Sequence, residues 1–267
     1  MARNIGRLIL SLAAAVGGVG LFYWWQERNK RDPLPEVASL ILTPDEASRT
    51  TRLQYGSLQI CWKKKSIQAE IILGTSFAEL NLSEPIAVTQ GQCITIAEVQ
   101  PDTRYYYEIR FQDGEKVRGA ERIIPLEHLP NFRDLGGYET ADGRSVRWDR
   151  VYRAAGLDRL TEEDQSRLMQ MGVTLVCDLR THEEAEADPD NLPDTIEYLH
   201  LPAKTSDNRW KVLAMLMFNP RQIQKMLPDL YTRILLDQNP HIFAEIFRRL
   251  AKPDGLPTVI HCTAGKD

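Results

Sequence analysis

Two stretches of this sequence carry residues that could do chemistry. The sharper is the C-terminal run Val259-Ile260-His261-Cys262-Thr263-Ala264-Gly265-Lys266-Asp267. Thr258, Val259 and Ile260 read as a short buried strand, and the chain then opens into a loop with one thiol, one glycine and small residues. The backbone N–H groups of such a loop can turn inward round an anion. The same dipoles favour the thiolate form of a cysteine at the strand's end. The second stretch is Asn131-Phe132-Arg133-Asp134-Leu135-Gly136-Gly137-Tyr138. Its paired glycines mark a tight turn or a close backbone approach. Arg133 and Asp134 would fix that loop by a charge-assisted hydrogen bond, although an ordinary ion-paired turn reads the same way.

Taken together the two stretches carry a resemblance. His261 to Asp267 resembles the signature loop of the cysteine-dependent protein tyrosine phosphatases, His-Cys-five residues-Arg. Its Gly-Lys-Asp form is similar to the bacterial tyrosine phosphatases that also act on phosphoinositides. Asn131 to Gly137, followed by Val151-Tyr152-Arg153-Ala154, resembles the opening of the same subgroup, in the right order relative to the loop.

The resemblance implies phosphomonoester hydrolysis through a phosphocysteine. The implied partner is a phosphorylated protein or a phosphoinositide. Cys262 would be the nucleophile and Asp267 the acid that protonates the leaving oxygen. Thr263, Ala264, Gly265 and Lys266 would bind the substrate phosphate, Lys266 adding charge towards a second phosphate. His261, Arg133, Asp134 and Arg180 would support them, and neither a metal nor an organic cofactor is implied. The chain stops at Asp267, where the family has its phosphate-binding Arg and then a helix. The expectation is therefore a C-terminally truncated form without useful activity.

Three rival readings stand beside this one. They are a phosphate-binding pseudophosphatase, a membrane-anchored interaction protein working through its β-rich part, and a rhodanese-like sulfurtransferase. Gly265-Lys266-Asp267 and the Asn-Phe-Arg-Asp motif count against the last.

The elements that must position these residues read as an α/β domain over residues 126–267 with a central, mostly parallel sheet. Thr161 caps a helix whose first turn is acidic (Glu162, Glu163, Asp164), and Gly172 ends it. Val173 to Leu179 is a near-continuous apolar run, as a buried parallel strand should be, with Cys177 in the core. Asp178 and Arg180 leave its C-terminal end, where α/β folds place their sites. Thr181-His182-Glu183-Glu184 reads as a capping box. Trp210 to Leu236 reads as helix with breaks, and its Met-rich part, Leu213 to Phe218, as core packing, with the lining of a lipid-facing cleft as the alternative. Asn239-Pro240 opens a helix with Ile242, Phe243, Ile246, Phe247 and Leu250 on one stripe.

The fold class expected is multidomain, with a transmembrane helix and an all-β sandwich preceding that α/β domain. Residues 1–31 read as a membrane anchor or signal. Leu8 to Trp25 carries no charge, and eighteen helical residues reach about 27 Å, nearly a bilayer's hydrocarbon thickness. Phe22 to Trp25 would form an aromatic belt. A signal peptide cut near Ala13-Ala14-Ala15 is the alternative; the reading adopted is a single-pass anchor through residues 8–25.

Residues 32–36 read as a linker, and 37–125 as short strands with turn signals, such as Tyr105-x-Tyr107-x-Ile109-x-Phe111 followed by Asp113-Gly114. Trp62 and Val99-x-Pro101-x-Thr103-x-Tyr105 resemble a fibronectin type III-like sandwich. In that fold the Tyr bonds back to the backbone. The strands holding Cys61 and Cys93 would be neighbours there, within reach of a disulfide that an extracytoplasmic location would oxidise. The basic residues flanking the anchor, Arg3 and Arg7 before it and Arg28, Lys30 and Arg31 after it, are nearly balanced, so they do not fix its orientation.

Composition bounds the rest. The chain has 267 residues, 26% charged, with a formal net charge of −4 and no basic patch interleaved with aromatics beyond the first 31, so nothing signals nucleic acid. The four cysteines contain no CxxC and do not form a zinc-ligand spacing.

Overall fold

The computed structural model of the chain describes residues 46–53, 56–65, 68–126, 128–203 and 237–265. The expected anchor and linker, the helical stretch 210–236, Lys266 and Asp267 lie outside the described residues. Among those described, no helix is long and apolar enough to cross a membrane.

Seven strands come first: β1 (Ser48–Leu53), β2 (Ser57–Trp62), β3 (Ala69–Gly74), β4 (Ala87–Thr89), β5 (Cys93–Ile96), β6 (Tyr106–Phe111) and β7 (Lys116–Ala120). They form two antiparallel sheets, ordered β1-β2-β5 and β4-β3-β6-β7. Period-two alternation sends Leu58, Ile60 and Trp62 from one sheet, and Tyr107, Ile109 and Phe111 from the other, into a single core with Ala69, Ile71 and Val99. Cys61 and Cys93 stand opposite each other on β2 and β5 and are joined by a disulfide, with Cα atoms 4.1 Å apart. Tyr105 Oη accepts the Gln100 N–H at 3.1 Å, the back-bond expected of that tyrosine. Gly114, at φ +87°, turns the β6–β7 hairpin.

The C-terminal part is built from β8 (Arg133–Asp134), β9 (Val151–Ala154), α1 (Glu162–Gln170), β10 (Leu175–Asp178), α2 (His182–Ala187), β11 (Glu197–His200), α3 (Pro240–Leu250) and β12 (Thr258–His261). The sheet order is β11-β10-β12-β9-β8. The first four strands in that order run parallel, and β8 is antiparallel to β9. Both Thr161 and Thr181 close complete capping boxes, on α1 and α2. Gly172 leaves α1 at φ +74°. Helices cover both faces of the sheet. Tyr152, Ala154, Val176 and Val259 pack with Leu168 of α1. Ile260 and Leu179 pack against Ile242 and Ile246 of α3.

The register sets Asp178 beside both His200 and His261, and His261 beside Ala154. The C-terminal ends of all four parallel strands therefore share one edge, and the chain leaves β12 there into Cys262. The segment joining the two parts meets β8 through one isolated antiparallel bridge at Ile123 and Arg133: Asp134 N donates to Arg122 O at 2.9 Å, and Ile124 N to Phe132 O at 3.0 Å.

Candidate active site

Cys262 sits one residue past the end of β12, half-buried. Arg153, on the neighbouring strand β9, aims its Nη2 at Cys262 Sγ at 2.8 Å. Its Nη1 donates to Ala154 O at 2.8 Å and Ile260 O at 3.1 Å, so the guanidinium is locked to the sheet and its charge faces the sulfur. Strand alternation explains the aim: Tyr152 and Ala154 enter the core on the α1 side, and Arg153 between them points to the other face.

Arg133 stands on the same side. Partial burial and the neighbouring Arg153 hold its guanidinium below the usual arginine range, while the charges of Tyr138 and Cys262 pull it up. Arg133 stands opposite Arg153 in the β8–β9 register, so both arginines leave the sheet on the same face. A cleft of about 530 Å³ opens beside Cys262 and Arg153, walled chiefly by Leu135, Val151, Phe243, Phe247 and Ile260.

The loop after Cys262 is held from two sides. Asn131, in the left-handed region at φ +59°, donates its Nδ2 to Ala264 O at 2.9 Å. Gly265 sits at φ +69°, and a Cβ there would lie 2.6 Å from the backbone of Ala154 and Ala155. Only glycine permits that approach. Thr263 is exposed, and its carbonyl accepts the Gly156 N–H at 3.4 Å. The structure therefore brings the two motifs into one place.

His261 points away from the thiol into a buried network beneath it. Its Nε2 lies 2.9 Å from Asp190 Oδ2 and 3.5 Å from Asp178 Oδ1. Arg180 ties the two carboxylates together: its Nη2 is 2.8 Å from Asp178 Oδ2 and 2.8 Å from Asp190 Oδ1. Tyr198 Oη donates to Asp178 Oδ2 at 2.8 Å. Burial alone would push the Asp178 carboxyl up, but the Arg180 donors, His261 and Tyr198 outweigh it and hold the carboxyl below its usual range.

Asp178, Asp190 and His261 lie close enough together to share a cation. Arg180 already bridges both carboxylates, so the charge a metal would supply is present as a guanidinium. Arg180 thus lies in the buried network that also holds His261, one residue before Cys262. Asp178 is committed to this network and is not placed to deliver a proton to a substrate.

One expectation is corrected. Arg133 and Asp134 do not pair with each other, because consecutive residues of a strand point to opposite faces. Arg133 turns to the site and donates Nη1 to Asn131 O at 3.0 Å. Asp134 is fully buried and takes its cation from Arg104, whose Nη2 is 2.7 Å from Asp134 Oδ2. Lys266 and Asp267 lie outside the described residues, so the structure places neither. Two site residues escaped the sequence reading, Arg153 and Asn131. A charge between two core residues of a buried strand was the available signal for Arg153. Asn131 gave none beyond its tolerance of positive φ.

The model of the tyrosine phosphatase family matches residues 124–267, more than half of the chain. The chain belongs to the tyrosine phosphatase family. Among curated relatives, this family member is 32% identical to a tyrosine-protein phosphatase from Nostoc commune over 126 residues, 45% of this chain and 39% of that protein. It is 26% identical over 148 residues to a Cupriavidus necator protein provisionally named a tyrosine-protein phosphatase, 54% of this chain and 52% of that one. The chain thus spans about half or less of the length of these relatives. A pectate lyase from Pectobacterium carotovorum aligns at 14% identity over 57% of this chain and 41% of its own, with a TM-score of 0.23, which says nothing about the fold.

Proposed function

We propose that this member of the tyrosine phosphatase family hydrolyses phosphomonoesters through a phosphocysteine on Cys262. The observation that carries the reading is the Cys262 sulfur, at the end of a central parallel strand, with the buried guanidinium of Arg153 at 2.8 Å. A thiolate beside fixed positive charge is a nucleophile facing an anion site.

In the first step the thiolate attacks phosphorus, a P–S bond forms, and the P–O bond to the leaving group breaks. Asp267 would give that oxygen its proton. Water then attacks phosphorus while giving a proton to the Asp267 carboxylate, the P–S bond breaks, and inorganic phosphate leaves with the thiolate and the acid restored. The amides of Thr263 to Lys266 would hold the non-bridging oxygens, and Arg133 and Arg153 would offset their growing charge. The substrate would be a phosphotyrosine protein or a phosphoinositide, since the apolar cleft beside Cys262 suits an aromatic or lipidic group next to the phosphate.

We also infer an extracytoplasmic site of action, with the β-rich part as a fibronectin type III-like module behind a membrane anchor. The Cys61–Cys93 disulfide supports this reading, since such bridges persist in oxidising compartments.

The test is turnover of p-nitrophenyl phosphate and a phosphotyrosine peptide by the full-length gene product, with acid-quench trapping of a phosphoenzyme. Turnover and trapping should both vanish in Cys262→Ser. Turnover that survives Cys262→Ser would refute the reading. Asp267→Asn should slow phosphotyrosine more than an aryl phosphate with a low-pKa phenol.

A further inference from the structure

We propose that the N-terminal β-rich part is a working part of the active site, with Arg104 as the positioning residue that sets the Asn131–Tyr138 loop against Cys262. The proposal rests on the reading of Cys262 as the nucleophile, and it concerns residues outside the 124–267 match.

The pivot is Asp134. Its carboxylate is fully buried and accepts three bonds. Gly136 N–H reaches Oδ1 at 2.7 Å, and Asp149 N–H reaches Oδ2 at 2.9 Å. The third donor is Arg104 Nη2 at 2.7 Å, the one guanidinium on that carboxylate among the described residues. Arg104 precedes β6, so this charge comes from the N-terminal part. Its own side chain is 10% exposed. It is fixed by Nε donating to Glu121 O at 2.9 Å and by Nη1 on Asp149. It has little room to swing away.

A second arginine repeats the arrangement on the backbone. Arg122 Nη1 donates to Asp134 O at 2.9 Å, and its guanidinium lies 4.0 Å from the Tyr138 ring centroid and 5.1 Å from that of Trp148. Trp148 presses on the loop's glycines: a Cβ on Gly136 or Gly137 would fall within 2.5 Å or 2.3 Å of it. The loop is therefore clamped between Trp148 and two arginines that the β-rich part and the joining segment contribute.

What the clamp positions is chemical. Asp134 and Arg133 are adjacent on β8 and point to opposite faces. Fixing the Asp134 carboxylate on one face fixes the rotation of the strand, and so places Arg133 on the other, the face on which Arg153 meets Cys262. Asn131, two residues back, holds Ala264 of the loop. Arg104 thus acts on the thiol's surroundings through Asp134, without touching a substrate. The β-rich part then serves as more than a spacer, because the buried charge of Asp134 is matched only when that part is docked.

The experiment compares wild type, Arg104→Met and the Arg104→Met/Asp134→Asn double variant of the full-length gene product. The double variant removes both charges but leaves one carboxamide oxygen for the Gly136 and Asp149 N–H groups, so it should melt above Arg104→Met and below wild type. Two readouts are taken: kcat and KM for p-nitrophenyl phosphate, and the rates at which Cys262 is alkylated by iodoacetate and by neutral iodoacetamide. With Cys61 and Cys93 bridged and Cys177 buried, Cys262 is the thiol that reports. The ratio of the two rates measures positive charge at the sulfur and does not depend on turnover.

Both variants should lose about 100-fold in kcat/KM, the scale expected of a 1 Å misplacement, with KM carrying most of it. The iodoacetate preference should fall several-fold. A folded variant that keeps the wild-type preference and KM overturns the proposal. A double variant that does not fold also overturns it, by making Arg104 a residue of stability alone. Absence of Cys262-dependent turnover in wild type would instead sink the phosphatase reading and leave the alkylation ratio to decide the positioning.

Discussion

Arg180→Met is the most searching test of the charge network under the Cys262 loop. The Arg180 side chain is 3% exposed and pairs with two carboxylates, Asp178 at 0% and Asp190 at 2%. Its Nη1 also donates to Asp188 O at 2.7 Å. Met keeps much of the stem's packing and removes every one of these donors. Breaking a buried pair from one side leaves uncompensated charge, which costs about 3–5 kcal/mol. At an m-value near 2 kcal/mol/M, the urea midpoint should fall by roughly 2 M.

The pH dependence gives the sharper reading. In the wild type the Asp178 carboxyl titrates below its usual range, so it titrates lower folded than unfolded. The stability it contributes is present above the unfolded value, about 3.9, and is lost as pH falls through the folded one. In the variant the same carboxyl is buried without its guanidinium, so its folded value rises and the sign reverses: stability is lost as pH rises. The gap between wild type and variant should therefore be widest near pH 7 and close towards pH 4. Urea titrations followed by tryptophan fluorescence at a series of pH values measure it. A gap below about 1 kcal/mol would refute the reasoning, and so would a gap that widened in acid. Adding Asp178→Asn and Asp190→Asn to the variant should restore much of the loss, since no charge would then be buried.

Three other outcomes follow from the same structure. Gly265→Ala should cost at least about 1–2 kcal/mol for the left-handed backbone alone. It should also slow alkylation of Cys262 because the loop must leave Ala154; an unchanged alkylation rate would contradict the close approach. Asn131→Gly keeps the φ of +59° and loses the bond to Ala264, whereas Asn131→Ala loses both. Alanine should therefore be the more destabilising by roughly 1 kcal/mol in thermal melts. The disulfide closes a separation of 32 residues, so the Cys61→Ser/Cys93→Ser variant should lose roughly 3–4 kcal/mol. Dithiothreitol should bring the wild type down to the variant and leave the variant unmoved.

What was legible in the sequence was local. The capping boxes at Thr161 and Thr181, the Gly172 stop and the β6–β7 turn at Gly114 each depend on residues within a few positions, and each stands where the sequence places it. The pairing of Cys61 with Cys93 was legible for a different reason. Two cysteines on strands that a resembling fold sets side by side need only register to meet, and the β2–β5 register supplies it. The apolar stripe of Ile242 and Ile246 likewise gave the buried face of α3. The Cys262 loop could be read from its motif, but not what holds it, because Asn131 reaches Ala264 from 133 positions away.

Charge pairing was the part that adjacency misled. Arg133 and Asp134 are neighbours in sequence and look like partners, yet a strand sends them to opposite faces, so each must find its partner across the fold. Asp134 finds Arg104, thirty positions back, and Arg133 faces a thiol far ahead. The same parity exposes Arg153. Between Tyr152 and Ala154, which enter the core, a long cation can lie only on the other face, and there Cys262 is the group that needs it. In a sheet whose two faces are both covered, a lone charge on a central strand has no solvent to turn to. It must be matched inside, either by a fixed carboxylate, as Asp178 is by Arg180, or by an anion that comes and goes. Asp178 has its match built in. Arg153 is held by the carbonyls of Ala154 and Ile260 and turns its other nitrogen to a half-buried sulfur, so its charge lies where the thiol is reached from the cleft.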